Sequence, residues 1–192
     1  MTGMGNAPTG SRREQIVAAA AELFARHGFH GVGIDDIGAA VGISGPAVYR
    51  HFRSKDAMLG QMLLDISEKL LTGGRQRVTA VDDPAQALRA LVRWQVDFAL
   101  EQPALITVHS RDLANLSEAD QRQVRRLQRG YVEVWVAAIQ QAVPGTSEST
   151  ARAAAHAVFG LINSTPHSVL PERAEAAALL ERLALAALLA CG

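Results

Sequence analysis

The sequence predicts an all-α protein of about nine helices. Three observations carry that expectation. Apolar residues recur at helical spacing along nearly the whole chain, and the alternation of a half-buried strand is nearly absent. Glycine and proline fall between the periodic segments, where helices stop and start. At 192 residues, with 48% hydrophobic and 20% charged side chains, the chain can bury a core and is not disordered.

Each element has a local reason. Residues 1–10 read as a leader with no charged side chain and no apolar segment of the kind a secretory signal needs. From Ser11 the face Ile16, Ala19, Ala20, Leu23 and Phe24 marks a first helix. Ser11 and Glu14 have the spacing of a capping box, and Gly28 stops the helix. After the turn Gly31-Val32-Gly33, a short helix runs from about Ile34 to Val41, with Asp35 and Asp36 suited to its first turn. Gly42 ends it. Ser44 is the expected cap of a second short helix, where Pro46 sits too early to cost a helical hydrogen bond. That helix carries Ala47 to Phe52. Ser54 opens another from Lys55 to about Leu71, and Thr72-Gly73-Gly74 reads as a break. The remaining helices are expected from Asp83-Pro84 to about Glu101, from Pro103 to Asp112, from Ser117 to about Val143, from Glu148 to about Ser164, and from Glu172 to Ala190.

Composition narrows the function classes. Nineteen Lys+Arg balance nineteen Asp+Glu, which excludes a generally basic coat and leaves room for a local patch. Cys191 is the one cysteine, so no internal disulfide forms and a reducing cytoplasm is expected. Glu175, Glu181 and Arg182 interrupt the most apolar stretch, so it reads as an amphipathic helix and no membrane partner is expected. His27 and His30 are three apart, but Gly28 lies between them and no Cys or carboxylate cluster joins them, so no metal site is expected. The chain has no Ser-His-Asp set and no Gly-rich phosphate loop; neither catalysis nor a cofactor is expected.

The informative segment is Ile34 to Lys55. Two short helices flank Gly42-Ile43-Ser44, a turn length that suits a helix-turn-helix whose second helix enters the DNA major groove. Ile37, Ala40, Val41, Ile43 and Val48 would pack the pair together. Gly45, Ala47, Tyr49, Arg50, Arg53 and Lys55 are then expected near the outer side. Small residues let a helix sit deep in the groove, and Arg50 has the fork for a guanine edge. Tyr49, His51 and Lys55 suit phosphates, and the helix start at Ser44 offers bare amides to an anion. Tyr49 and His51 also read as partly buried packing residues. Phe52 is assigned to the core.

Phe24 to Phe29, Ile34-Asp35-Asp36-Ile37, Val41-Gly42-Ile43-Ser44, Tyr49-Arg50-His51-Phe52 and Ser54-Lys55 together resemble the DNA-binding head of TetR-family transcriptional regulators. The match covers about residues 11–70. It implies a three-helix DNA-binding domain at 11–56 and a helical ligand-binding and dimerisation body at 57–192. It further implies a homodimer on a double-stranded operator, with Tyr49, His51 and Lys55 on the backbone and Pro46, Ala47 and Arg50 near bases. Gly33 stands where the family often has Thr or Ser, and Gly45 where a Lys is common, so two phosphate contacts are expected to be missing. Arg12 and Arg13 are the candidate replacements. The implied function is a ligand-responsive, sequence-specific repressor released by a small apolar effector or an acyl-coenzyme A. The coenzyme A expectation rests on Ala104 to Val108 and Arg111-Asp112-Leu113, which look like members linked to fatty-acid catabolism.

In the body, Trp94, Phe98, Tyr131, Trp135 and Phe159, with His109 and Asn163, are the candidate ligand-binding residues. Bundles place such groups between helices, and each also reads as ordinary core or a satisfied polar cluster. Arg122, Arg125, Arg126 and Arg129 share one helix face. They read either as a solvated face with Glu118–Arg122 and Arg129–Glu133 pairs, or as a site for a phosphorylated ligand. The last two helices are apolar on most sides, which suits a four-helix interface between two chains or full burial within one. Three rivals stay open: a helical ligand carrier, an enzyme with a vestigial helix-turn-helix, and a constitutive DNA-binding regulator without effector.

Overall fold

A computed structural model describes residues 11–191; the expected leader at residues 1–10 lies outside the described residues. Among these the chain forms nine α-helices and no strand, as expected. They are α1 (Arg12–His27), α2 (Ile34–Ala40), α3 (Gly45–Val48), α4 (Lys55–Thr79), α5 (Pro84–Glu101), α6 (Pro103–Arg111), α7 (Glu118–Ala142), α8 (Glu148–Ile162) and α9 (Arg173–Leu189).

Local chemistry explains most boundaries. At α1, Glu14 N–H donates to Ser11 Oγ at 3.3 Å and Ser11 N–H to Glu14 Oε2 at 2.8 Å, a complete capping box. Gly28 closes the helix in the left-handed region, at φ 78°. Gly33 has no side chain to cap α2; instead its N–H donates to the Asp36 carboxylate at 2.8 Å. Helix α3 is shorter than expected, and Tyr49 to His51 follow it as turn. Ser44 holds the cap position, but its side chain makes no capping bond. The backbone supplies the reason: Pro46 has no N–H to offer, and Ala47 N–H donates to the Ser44 carbonyl at 2.9 Å.

Helix α4 departs most from expectation. It runs unbroken through Thr72-Gly73-Gly74 to Thr79. These glycines are seats for aromatic rings. A Cβ on Gly73 would lie 2.4 Å from Trp94 Cζ2, and one on Gly74 2.6 Å from Tyr131 Cε2. The absent side chains let α5 and α7 come close to α4.

Two apolar cores result. The first joins Ile16, Phe24, Ile37, Val48 and Phe52 to Met58, Leu59, Met62 and Leu63 of α4, with Val108, Leu116 and Val124 from later in the chain. The second is built from Leu91, Val96, Trp135, Ile139, Ala155, Ile162 and Leu188, among others. Helices α4, α6 and α7 contribute to both, so they tie the N-terminal head to the body. On α9, Leu180, Leu185 and Leu188 are buried within the chain, while Leu183 and Leu189 stay exposed. The expected Arg129–Glu133 pair is not formed. Glu133 accepts from Arg152 of α8 at 2.6 Å, and the same guanidinium reaches Glu148 at 2.7 Å. Arg122 does pair with Glu118, at 3.3 Å. No helix among the described residues is long and apolar enough to cross a membrane.

Candidate nucleic-acid interface and cavity

The head is held by one close backbone approach. A Cβ on Gly38 would stand 2.7 Å from the Ile43 carbonyl and 3.1 Å from Gly45 N, so α2 meets the turn and α3 directly. Ile37 and Val48 bury the seam. The surface beyond α3 then carries Ser44, Pro46, Tyr49, Arg50 and His51, all exposed, with Ala47 half-buried among them. Tyr49 is 54% exposed, unusual for so large a ring. The packing reading of Tyr49 therefore has no support in its surroundings.

Two expected contact residues sit differently. Gly45 is buried, not on the outer side, and faces Asp35: a Cβ there would be 1.9 Å from Asp35 Oδ1. Lys55 turns its ammonium inward. Its Nζ donates to the Phe29 and Val32 carbonyls at 2.8 and 2.7 Å and lies 4.5 Å from the Phe29 ring centroid. It thereby fixes the turn between α1 and α2. Arg12 donates to the Val41 carbonyl at 3.2 Å, and Arg13 lies over the Phe52 ring at 4.5 Å.

In the body, a cavity of about 260 Å³ opens between α4, α5, α6, α7 and α8. Four of the seven expected ligand-binding residues line it: His109, Tyr131, Phe159 and Asn163. Three do not. Trp94 covers Gly73, donates its indole N–H to the Leu70 carbonyl at 3.3 Å and carries the Arg77 guanidinium on its face. Phe98 is packed into the core. Trp135 is fully buried behind the rings of Tyr131 and Phe159, and its Nε1 has no hydrogen-bond partner among the described residues. The cavity also takes in Ser67, Gln95, Gln128 and His156, which sequence reasoning missed. Gln95 had left a signal: it interrupts the apolar face Leu88, Leu91, Val92 and Phe98 of α5.

The polar groups in this cavity are linked. Tyr131 Oη donates to Gln95 Oε1 at 3.0 Å, and Gln95 Nε2 donates to Asn163 Oδ1 at 3.0 Å. On another wall, Gln128 Nε2 lies 2.6 Å from His109 Nε2. Burial lowers the His109 pKa, so its imidazole is held neutral, and burial pushes the Tyr131 phenol far above its ordinary range. A larger hollow of about 730 Å³ lies between α1, α4 and α6. Its walls are Val17, Ala18, Ala21, Met62, Ile66 and Leu105 under a charged rim.

Helix α6 runs from cavity to head. Two residues past His109, Arg111 donates to the Phe24 carbonyl and, at 3.2 Å, to that of Ala25, both in the last turn of α1. The same guanidinium pairs with buried Asp112 at 3.1 Å. Asn115 donates to Asp112 at 3.2 Å and meets His30 Nε2 at 3.1 Å.

Comparison with known proteins matches two stretches of the chain. A family model described as bacterial regulatory proteins, tetR family, matches residues 16–62. A second, described as tetracyclin repressor-like, C-terminal domain, matches 81–167. The HTH-type transcriptional activator FasR of Mycolicibacterium smegmatis is 37% identical over 91 residues, covering 47% of this chain and 42% of that protein. The HTH-type transcriptional repressor KstR2 of the same organism is 25% identical over 134 residues, covering 69% of this chain and 65% of its own. The matches thus span less than two thirds of those relatives' lengths. Among solved structures, a TetR-family regulator from Bordetella parapertussis superposes with a TM-score of 0.84 at 26% identity, over 93% of this chain and 94% of that one. AibR, solved with isovaleryl coenzyme A and operator DNA, superposes with a TM-score of 0.73 at 18% identity, over 91% and 96%.

Proposed function

The chain belongs to the TetR family of bacterial regulatory proteins, and from that footing we propose that it is a homodimeric, sequence-specific DNA-binding repressor released by a small effector. Residues 11–56 are the DNA-binding domain and 57–192 the effector-binding and dimerisation body. Pro46, Ala47 and Arg50 face base edges, while Tyr49 and His51 hold phosphates. The exposed Leu183 and Leu189 of α9 go to the partner chain.

One observation carries the effector response: α6 lines the cavity with His109 and clasps α1 with Arg111. An effector that prefers one position of α6 then prefers one position of the head. The equilibrium shifts only by the difference in its affinity for the two states. Two heads set at the wrong separation no longer match half-sites spaced by a helical turn.

The test is binding of the purified chain to DNA flanking its own gene, at two salt concentrations, with and without candidate effectors. Specific binding that an effector releases supports the reading. Tyr49→Ala should abolish operator binding and leave effector binding intact. A reporter under that promoter decides the sign, which matters because FasR is an activator and KstR2 a repressor. Acyl-coenzyme A is the second effector class. The exposed row Arg122, Arg125, Arg126 and Arg129 favours it, as does the isovaleryl coenzyme A bound by AibR.

A further inference from the structure

We infer that the effector held in the body cavity is a small uncharged ring compound with a hydrogen-bond acceptor at one end and a hydroxyl at the other. The inference rests on the regulator reading above and deepens it.

Three features of the cavity carry it. The first is charge. No Asp, Glu, Lys or Arg lines the walls; the lining histidines are His109 and, exposed at the rim, His156. His109 is held neutral by burial. A carboxylate or phosphate placed beside His109 would lose its water without gaining a Lys or Arg from the lining, at a large cost.

Size and shape come second. A volume of about 260 Å³ lies below the range of about 300–1,000 Å³ typical of drug-sized sites. It admits a two-ring compound and leaves no room for a nucleotide. Tyr131 and Phe159 stack with centroids 5.7 Å apart and planes 23° from parallel, which puts an aromatic pair in the cavity lining.

The third feature is the direction of the hydrogen bonds. Tyr131 donates to Gln95 and Gln95 donates to Asn163 Oδ1. The chain therefore ends on the Asn163 Nδ2 amide, whose donors have no partner among the described residues. It asks for an acceptor such as a carbonyl. On the other wall, a neutral His109 accepts at Nε2 from the Gln128 amide, so its proton sits on Nδ1. Gln128 Oε1 is then an acceptor without a partner among the described residues, and it asks for a hydroxyl.

A matched series tests this. Binding of 6-hydroxytetralone, tetralone, tetrahydronaphthol and tetrahydronaphthoate to the full chain is measured by calorimetry, at a pH where the phenols are protonated. The expected result is 6-hydroxytetralone at least about tenfold tighter than tetralone or tetrahydronaphthol, with no saturable binding of the carboxylate. Asn163→Leu should bring 6-hydroxytetralone down to the affinity of tetrahydronaphthol while leaving tetrahydronaphthol unchanged; that unchanged affinity, with a cooperative melting transition at a temperature lowered by the loss of the Gln95 acceptor, shows the variant is folded. Equal affinity for the carboxylate, equal affinity across the series, or no saturable 6-hydroxytetralone binding overturns the inference. Operator binding by the ligand-free chain is scored separately. Its absence removes the regulator reading and leaves the cavity chemistry standing. Release of the operator by an acyl-coenzyme A but not by 6-hydroxytetralone keeps the regulator and overturns the inference.

Discussion

The guanidinium of Arg111 donates to the carbonyl of Phe24, so a side chain of the body closes the last turn of the first helix of the head. The Phe24 carbonyl also accepts from Gly28 N–H at 2.8 Å, so the guanidinium is its second donor, and a cation there complements the helix dipole. The same side chain neutralises Asp112, which is 3% exposed. Arg111→Ala should therefore lower stability by about 1–2 kcal/mol in urea unfolding, discounted for a guanidinium that is itself partly solvated. Ligand-free operator binding should persist while effector release is lost. Arg111→Lys should recover only part of both, because an ammonium lacks the fork.

Glycines at the head make a paired prediction. At Gly38 an added methyl meets backbone, the Ile43 carbonyl and Gly45 N, which cannot move without opening the motif. At Gly45 it meets the far end of the Asp35 side chain, which can rotate away. Gly38→Ala should cost about 1–3 kcal/mol and Gly45→Ala clearly less, as read by chemical denaturation. Asp35→Ala should remove most of the Gly45→Ala cost.

On helix propensity alone, alanine at Gly73 or Gly74 in α4 should stabilise by about 1 kcal/mol. The rings of Trp94 and Tyr131 reverse that sign. Both substitutions should lower the melting temperature. Gly74→Ala should also weaken effector binding, because Tyr131 lines the cavity, and Gly73→Ala should do so less.

Lys55 and Arg50 separate structure from DNA contact. Arg50→Ala should weaken operator binding and relax preference at one base position, by about 1–3 kcal/mol. Lys55→Met should mainly lower stability, since two carbonyls lose their donor, and should leave the salt slope of binding close to that of the parent. Titrations at several salt concentrations distinguish the two.

His109 sets a pH dependence. Its folded pKa lies below the ordinary value of 6.5, so below that value the unfolded chain binds more protons than the folded one. Stability from this residue is fully present above the ordinary value and is lost as pH falls toward the folded pKa. Melting curves across that interval should fall more steeply for the parent than for His109→Gln.

Apart from the ends of α3 and α4, the helix boundaries were legible because their causes are local. The Ser11–Glu14 box, the left-handed Gly28 and the prolines at 84 and 103 act within a turn or two of chain. The exposed set at Pro46, Tyr49, Arg50 and His51 was legible for the same reason, since short helices and one tight turn decide which way it faces.

By itself, then, the sequence determined an all-helical chain and the outer face of its head. Tertiary structure alone decided whether Gly73 and Gly74 break a helix or seat two rings. It decided that Gly45 is buried against Asp35 and that Lys55 serves the fold. It also brought Gln95, Gln128, Tyr131 and Asn163 into one cavity while withdrawing Trp94, Phe98 and Trp135 from it. The physical reason is common to all of these. Propensity and capping are set by neighbours in the chain, whereas the partner of a glycine, an ammonium or a buried amide comes from a different helix. Helical periodicity says which face is covered and not what covers it.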